Sequence, residues 1–119
     1  RVSDRARMIE CIFATGLPFG GRGELPQTLQ ELARLLPATA GVRRWGAAAL
    51  DLAYVAAGRY DGFWERGLNA WDIAAGGLLV REAGGFVEAR EPGTSVIDSG
   101  ALIVANSDIF DSFASVIRT

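Results

Sequence analysis

The sequence predicts an α/β layered domain, with a mixed, mainly parallel sheet flanked by helices. Three observations carry that expectation. Short apolar runs alternate with stretches of helical character, in the order strand, helix, strand, helix, strand, helix, strand, strand, helix. Such alternation is what a sheet covered by crossover helices requires. Glycine and proline punctuate the boundaries, and 50% of the 119 residues are hydrophobic, enough for one domain of ordinary size to build a sizeable core.

Taken in order, residues 6–14 read as a buried strand, ended by Thr15-Gly16-Leu17-Pro18. Gly20-Gly21-Arg22-Gly23 reads as a flexible loop. An amphipathic helix follows, with Pro26 near its first turn, Leu25, Leu29, Leu32 and Leu36 on one face, and Pro37 as its stop. Val42 to Trp45 is a short strand. Gly46 opens a helix over 47–57 in which Asp51 is the only charge, so this helix is expected to be buried on most sides. Gly58 suits the position after a helix C-terminus. Tyr60 to Glu65 is a strand interrupted by Asp61-Gly62, and Asp72 starts a largely apolar helix closed by Gly84-Gly85. Phe86 to Ala89 is a strand, Glu91-Pro92-Gly93-Thr94 a turn, and Ala101 to Ala105 a strongly β-like run. Asn106 or Ser107 caps a last helix through Arg118.

Composition excludes several kinds of chemistry. With no histidine and one cysteine, the chain builds no Ser-His-Asp device, no histidine-ligated metal site, no thiolate zinc cluster and no internal disulfide. Cys11 lies in an apolar run and reads as a small buried hydrophobe. A net charge of −2 gives no electrostatic footprint for nucleic acid. No apolar run approaches the ~20 residues that span a bilayer, so no membrane association is expected. The lack of disulfides suits a reducing cytoplasm. Arg1-Val2-Ser3-Asp4-Arg5 has the look of mid-sequence, as in a piece of something longer.

The segment from Trp71 to Gly85 is the chemically informative one. Asp72 stands where a helix begins, and Ala74, Ala75, Gly76 and Gly77 let another backbone approach it closely. A carboxylate there either caps free N–H groups or offers a hard oxygen to magnesium, which takes few protein ligands.

Trp71-Asp72-Ile73-Ala74-Ala75-Gly76 with Glu82-Ala83-Gly84-Gly85 resembles the C-terminal signature of the inositol monophosphatase family. Ala14-Thr15-Gly16-Leu17-Pro18-Phe19 is similar to that family's strand-end segment. Arg43-Arg44-Trp45-Gly46-Ala47-Ala48-Ala49 resembles its Arg-x-x-Gly-Ser/Thr-Ala-Ala segment, and Asp61-Gly62-Phe63-Trp64-Glu65 the strand leading to the signature. Order and spacing agree across nearly the whole chain. The resemblance implies the C-terminal half of the family fold. The family's Asp-Pro-x-Asp-Gly-Thr segment and its metal-binding glutamate belong to an N-terminal half, and no proline here follows an aspartate.

The implied activity is magnesium-dependent hydrolysis of a phosphate monoester of a small polyol, inositol monophosphate first among candidates. By resemblance Asp72 is the catalytic and metal-binding residue, a third metal-ligand aspartate that needs the N-terminal half for the rest of its site. Gly46, Ala47 and Ala48 match the substrate-pocket lining, and Glu65 matches a glutamate that accepts hydrogen bonds from sugar hydroxyls. Each has a plainer alternative: a tight strand-to-helix turn for Gly46, a solvated strand end for Glu65. Ala47 replaces the serine or threonine of many relatives, which removes one hydroxyl. Asn69 stands at the expected pocket rim. Of Arg43 and Arg44, alternate strand residues, at most one faces the site, and Arg44 could instead meet a second subunit, since the family is usually homodimeric. Trp45, Trp64 and Trp71 suit core or dimer packing better than ligand stacking. Two further readings remain: a related phosphatase, such as one acting on fructose bisphosphate, and a non-catalytic binding or dimerisation module.

Overall fold

A computed structural model describes residues 1–16 and 25–119. The expected Gly20–Gly23 loop and Leu17 to Phe19 lie outside the described residues. The strands are β1 (Ile12–Thr15), β2 (Gly41–Arg43), β3 (Gly62–Glu65), β4 (Phe86–Ala89) and β5 (Leu102–Ala105), in the spatial order β2-β1-β3-β5-β4. β1 runs parallel to β2 and β3, while β5 is antiparallel to both β3 and β4. Only β5 therefore opposes the common direction, and the sheet is mixed and mainly parallel as expected.

The helices are α1 (Leu25–Leu35), α2 (Ala48–Ala56), α3 (Ala70–Glu82), the short α4 (Val96–Ser99), which the sequence reading did not foresee, and α5 (Phe110–Arg118). Successive strand residues point to opposite faces, and the core divides accordingly. Phe13, Trp64, Ile103 and Ala105 pack with Leu35 of α1 and Phe110, Phe113 and Ile117 of α5. Ala14, Phe63, Leu102 and Val104 pack with Leu52 and Val55 of α2 and Ile73 and Val80 of α3. Two helices thus cover each face. No helix among the described residues is long and apolar enough to cross a membrane.

Several local expectations are corrected. The first strand begins at Ile12, because Met8–Glu10 forms a 3-10 turn closed by a hydrogen bond from Cys11 N–H to the Met8 carbonyl. Buried Asp61 then accepts the Ile12 N–H at 2.7 Å and bonds from Ser3 and Arg5. In α1 the buried face is Thr28, Glu31 and Leu35 rather than the leucine stripe: Leu25, Leu29 and Leu36 are exposed. Glu31 sets that rotation. It accepts from Trp64 Nε1 at 3.0 Å, Arg66 Nη1 at 2.7 Å and Arg90 Nε at 2.9 Å, charge-assisted bonds that hold its face of the helix inward. Helix α2 is buried on one side only, and Asp51 lies on that side. Of the three tryptophans only Trp64 is in the core; Trp45 and Trp71 stand 64% and 71% exposed.

Other expectations hold. Gly58 follows α2 with a left-handed φ of +79°. Asn106 caps the approach to α5, its Oδ1 accepting from the N–H groups of Asp108 and Ile109 at 2.9 and 3.0 Å. At the other end of α5 the last carbonyls are met by arginines: Arg34 donates to Val116 and Ile117 at 2.8 and 3.0 Å.

Candidate functional site

The parallel strands β1 and β3 lie side by side, with Thr15 opposite Trp64. The next described element after β1 is α1, on the α5 face; the element after β3 is α3, on the opposite face. Connections that leave adjacent parallel strands toward opposite faces open a crevice at the strands' carboxyl ends, the usual ligand position in open α/β sheets. Helices α2 and α3 both begin at this edge, since each is entered from the carboxyl end of a strand running in the common direction.

Glu65 is the last residue of β3 and shares the face of Phe63, which looks toward α2 and α3. Its side chain is half-buried and lies against Gly16, the residue just beyond β1. Burial pushes the Glu65 carboxyl up to about 7, and the negative charges of Asp51 and Asp72 act the same way, opposed by Arg44. Three charged groups from separate elements therefore act on Glu65. Arg44 is the arginine whose charge reaches Glu65, while Arg43 turns back to the Val42 carbonyl at 3.3 Å.

Asp72 is half-buried in the first turn of α3, but it does not begin the helix. Exposed Asn69 occupies the N-cap position, without a side-chain cap bond, and Asp72 follows three residues later. No hydrogen bond found among the described residues ends on the Asp72 carboxylate, so its oxygens are not used up in capping. A carboxylate in a helix's first turn is favoured by the helix dipole.

At α2, Gly46 has a left-handed φ of +82°, which makes it the hinge of a tight turn. Ala47 is the N-cap, with extended backbone and no side-chain cap bond. No side chain among the described residues is found capping the first N–H groups of α2. Gly46 and Ala47 are exposed and Ala48 is half-buried. The close approach of α3 comes from Gly76, where a Cβ would strike the Leu52 side chain of α2.

The residue that sequence reasoning missed is Asp51. It is 1% exposed, and among the described residues neither carboxylate oxygen has a hydrogen-bond partner. Burial raises it to about 6. Its lone position among apolar neighbours is the signal in the sequence that marks it.

Among the described residues no three His, Cys, Asp or Glu side chains are arranged to hold a metal ion together. The donor chemistry nonetheless suits magnesium. Asp72 offers hard oxygen at a site with surplus negative charge, and magnesium is commonly held by one or two carboxylates with water completing its shell.

A layered α/β domain with acidic groups gathered at the carboxyl ends of its parallel strands is the class these features define. The chain belongs to the inositol monophosphatase family, whose profile matches residues 1–119. It is 51% identical over 109 residues to the inositol-1-monophosphatase of Mesorhizobium japonicum, covering 92% of this chain and 41% of that protein. It is 44% identical to the Nus factor SuhB of Pseudomonas aeruginosa, over 99% of this chain and 44% of that one. The crystal structure of the extragenic suppressor protein suhB from Bartonella henselae superposes with a TM-score of 0.94 at 45% identity, covering all of this chain and 45% of its own. The chain therefore spans under half the length of the curated relatives it matches.

Proposed function

We propose that this chain is the C-terminal domain of a magnesium-dependent phosphatase that hydrolyses the phosphate monoester of a small polyol, inositol monophosphate first among them. The observation that carries the reading is the convergence of Glu65, Asp72 and the uncapped start of α2 on one crevice, in a member of this family. In this reading Asp72 is the metal ligand and catalytic residue. A magnesium ion held there supplies charge neutralisation to the leaving-group oxygen.

The rest is done by the chain's own groups. The backbone N–H groups opening α2 donate to anionic or hydroxylated parts of the substrate. Gly46, Ala47 and Ala48 leave room for a ring, and the missing hydroxyl at Ala47 removes one donor from that wall. Ionised Glu65 accepts a hydrogen bond from a substrate hydroxyl and so orients the polyol. Arg44 lies close enough to Glu65 to oppose the negative charge around it.

Further metal ligands come from an N-terminal half of the same protein. The 119-residue chain alone accordingly shows negligible turnover, and cytoplasmic, homodimeric enzyme is the working form. In the complete protein, Asp72→Asn removes the anionic ligand and should cut magnesium-dependent turnover at least a hundredfold, with the melting temperature unchanged within a few degrees. Near-normal turnover would defeat the metal role. A panel including inositol monophosphate and fructose bisphosphate assigns the substrate.

A second reading is a binding module rather than an enzyme. It is favoured by relatives 42–44% identical that carry the name Nus factor SuhB or putative Nus factor SuhB. A complete protein that binds a Nus-factor partner with unchanged affinity when Asp72 is replaced, and that turns over no phosphate ester, would support it.

A further inference from the structure

We propose that Gly16 is a positioning residue for Glu65: lacking a side chain, it leaves the seat at the end of β1 in which the Glu65 carboxyl group lies, and so sets where substrate hydroxyls are met. The proposal rests on the reading of Glu65 as hydroxyl acceptor. Its geometry comes from strand register. Thr15 pairs with Trp64, so the next residue on each strand, Gly16 and Glu65, meet one step beyond the ladder. Thr15 Oγ1 donates to the Trp64 carbonyl at 2.7 Å and holds the two strand ends together at that step.

The three atoms nearest to a Cβ built on Gly16 are Cδ, Oε1 and Oε2 of Glu65, all closer than any real contact. The Gly16 backbone is not in the left-handed region, so its conformation is open to alanine. What glycine supplies at this position is space, and the space is filled by the carboxyl group. Gly62 makes the contrast. A Cβ there would strike the Val104 carbonyl at 2.8 Å and the Phe13 ring, groups fixed in the sheet and core. At Gly16 the displaced group is the far end of a flexible side chain. A methyl group therefore costs the fold little and moves the carboxylate instead.

The test is a double-mutant cycle of Gly16→Ala and Glu65→Ala in the complete protein, assayed with inositol monophosphate and magnesium, with a crystal structure of Gly16→Ala. We expect a melting temperature within about 2 °C of the parent. The Glu65 carboxyl should be displaced by about 1 Å or more to reach ordinary contact distance. KM should rise roughly ten- to a hundredfold, the range of one charge-assisted hydrogen bond, with kcat changing less. Added to Glu65→Ala, which empties the seat, Gly16→Ala should have no further effect on KM. An unmoved carboxyl with unchanged KM, or KM losses that multiply in the double mutant, would overturn the proposal. An unchanged KM in Glu65→Ala alone would instead overturn the acceptor role of Glu65, and the crystal structure would still decide whether Gly16 positions it.

Discussion

Asp51→Asn should alter how stability depends on pH, by an amount that follows from the structure. Asp51 is 1% exposed with both oxygens unpartnered, and burial raises its carboxyl from 3.8 to about 6. The folded state thus holds this proton more tightly than the unfolded chain does. Below the unfolded value both states are protonated and no penalty exists. As pH rises from about 4 to about 6 the unfolded chain releases its proton first, so stability falls. Each tenfold change in proton affinity is worth about 1.4 kcal/mol, so the rise from 3.8 to about 6 amounts to about 3 kcal/mol once Asp51 is ionised. Asparagine keeps a buried polar group but cannot ionise. The stability of Asp51→Asn relative to the parent should therefore grow by about 3 kcal/mol between roughly pH 3 and pH 7.5, whatever its constant offset. Removing the Asp51 charge also eases ionisation of Glu65, which changes stability in the same direction. For a domain of this size the gain is on the order of 10 °C in melting temperature. Urea unfolding of the 119-residue chain and its variant across that range measures it. A difference that stays flat with pH would refute the reasoning and show that Asp51 is solvated or hydrogen-bonded in solution.

Gly76→Ala places a methyl against Leu52 Cβ at 2.7 Å and Cγ at 3.1 Å, and overpacking between α2 and α3 should cost about 1–3 kcal/mol, read by urea unfolding; an unchanged midpoint would contradict the close approach. Glu31→Gln leaves Arg66, whose side chain is only 13% exposed, without its anion and Arg90 with exposed Glu91 alone, and should destabilise by about 3 kcal/mol, the low end for breaking a buried pair because the arginines reach some water. Cys11 is fully buried and its thiol is pushed up to about 12, chiefly by burial and then by Asp61, so a thiol reagent should label it only as the chain unfolds; rapid labelling of native protein would contradict this.

Much of the fold is legible in the sequence because much of it is decided locally. The runs at Phe86–Ala89 and Leu102–Ala105 have strand composition, Gly58 has the conformational freedom a helix exit needs, and Asn106 has the side chain that bonds the N–H groups of the turn leading into α5. The misread elements are those decided by distant partners. The start of β1 is set by the 3-10 turn before it together with Asp61, forty-nine positions from Ile12. The buried face of α1 depends on Arg66 and Arg90, thirty-five and fifty-nine positions from Glu31. Counting leucines cannot anticipate a glutamate drawn inward by two guanidinium groups. The site divides in the same way. Asp72 and Glu65 stand out by their motif, whereas the seat at Gly16 exists only through the register of β1 on β3.

The treatment of the buried acids separates structural carboxylates from those kept for another purpose. Glu31 has three donors from Trp64, Arg66 and Arg90, and its carboxyl is lowered: burial alone would raise it, and the hydrogen bonds of the two arginines overcome that. Asp61 is served by Ile12, Ser3 and Arg5. Asp61 ties elements together at the far end of β3, and Glu31 does so beside Glu65 but on the opposite face of the sheet. At the crevice the pattern reverses. Asp51 has no partner, and Glu65 is raised by burial and by two neighbouring anions. A chain shaped for stability alone would have paired or replaced these acids, since unpaired buried charge is among the costliest features a fold can carry. Cost retained at one edge of a sheet whose other acids are satisfied is the pattern expected of a binding site. Positive charge delivered to that edge would offset it, whether by a divalent cation at Asp72 or by a donor-rich ligand at Glu65.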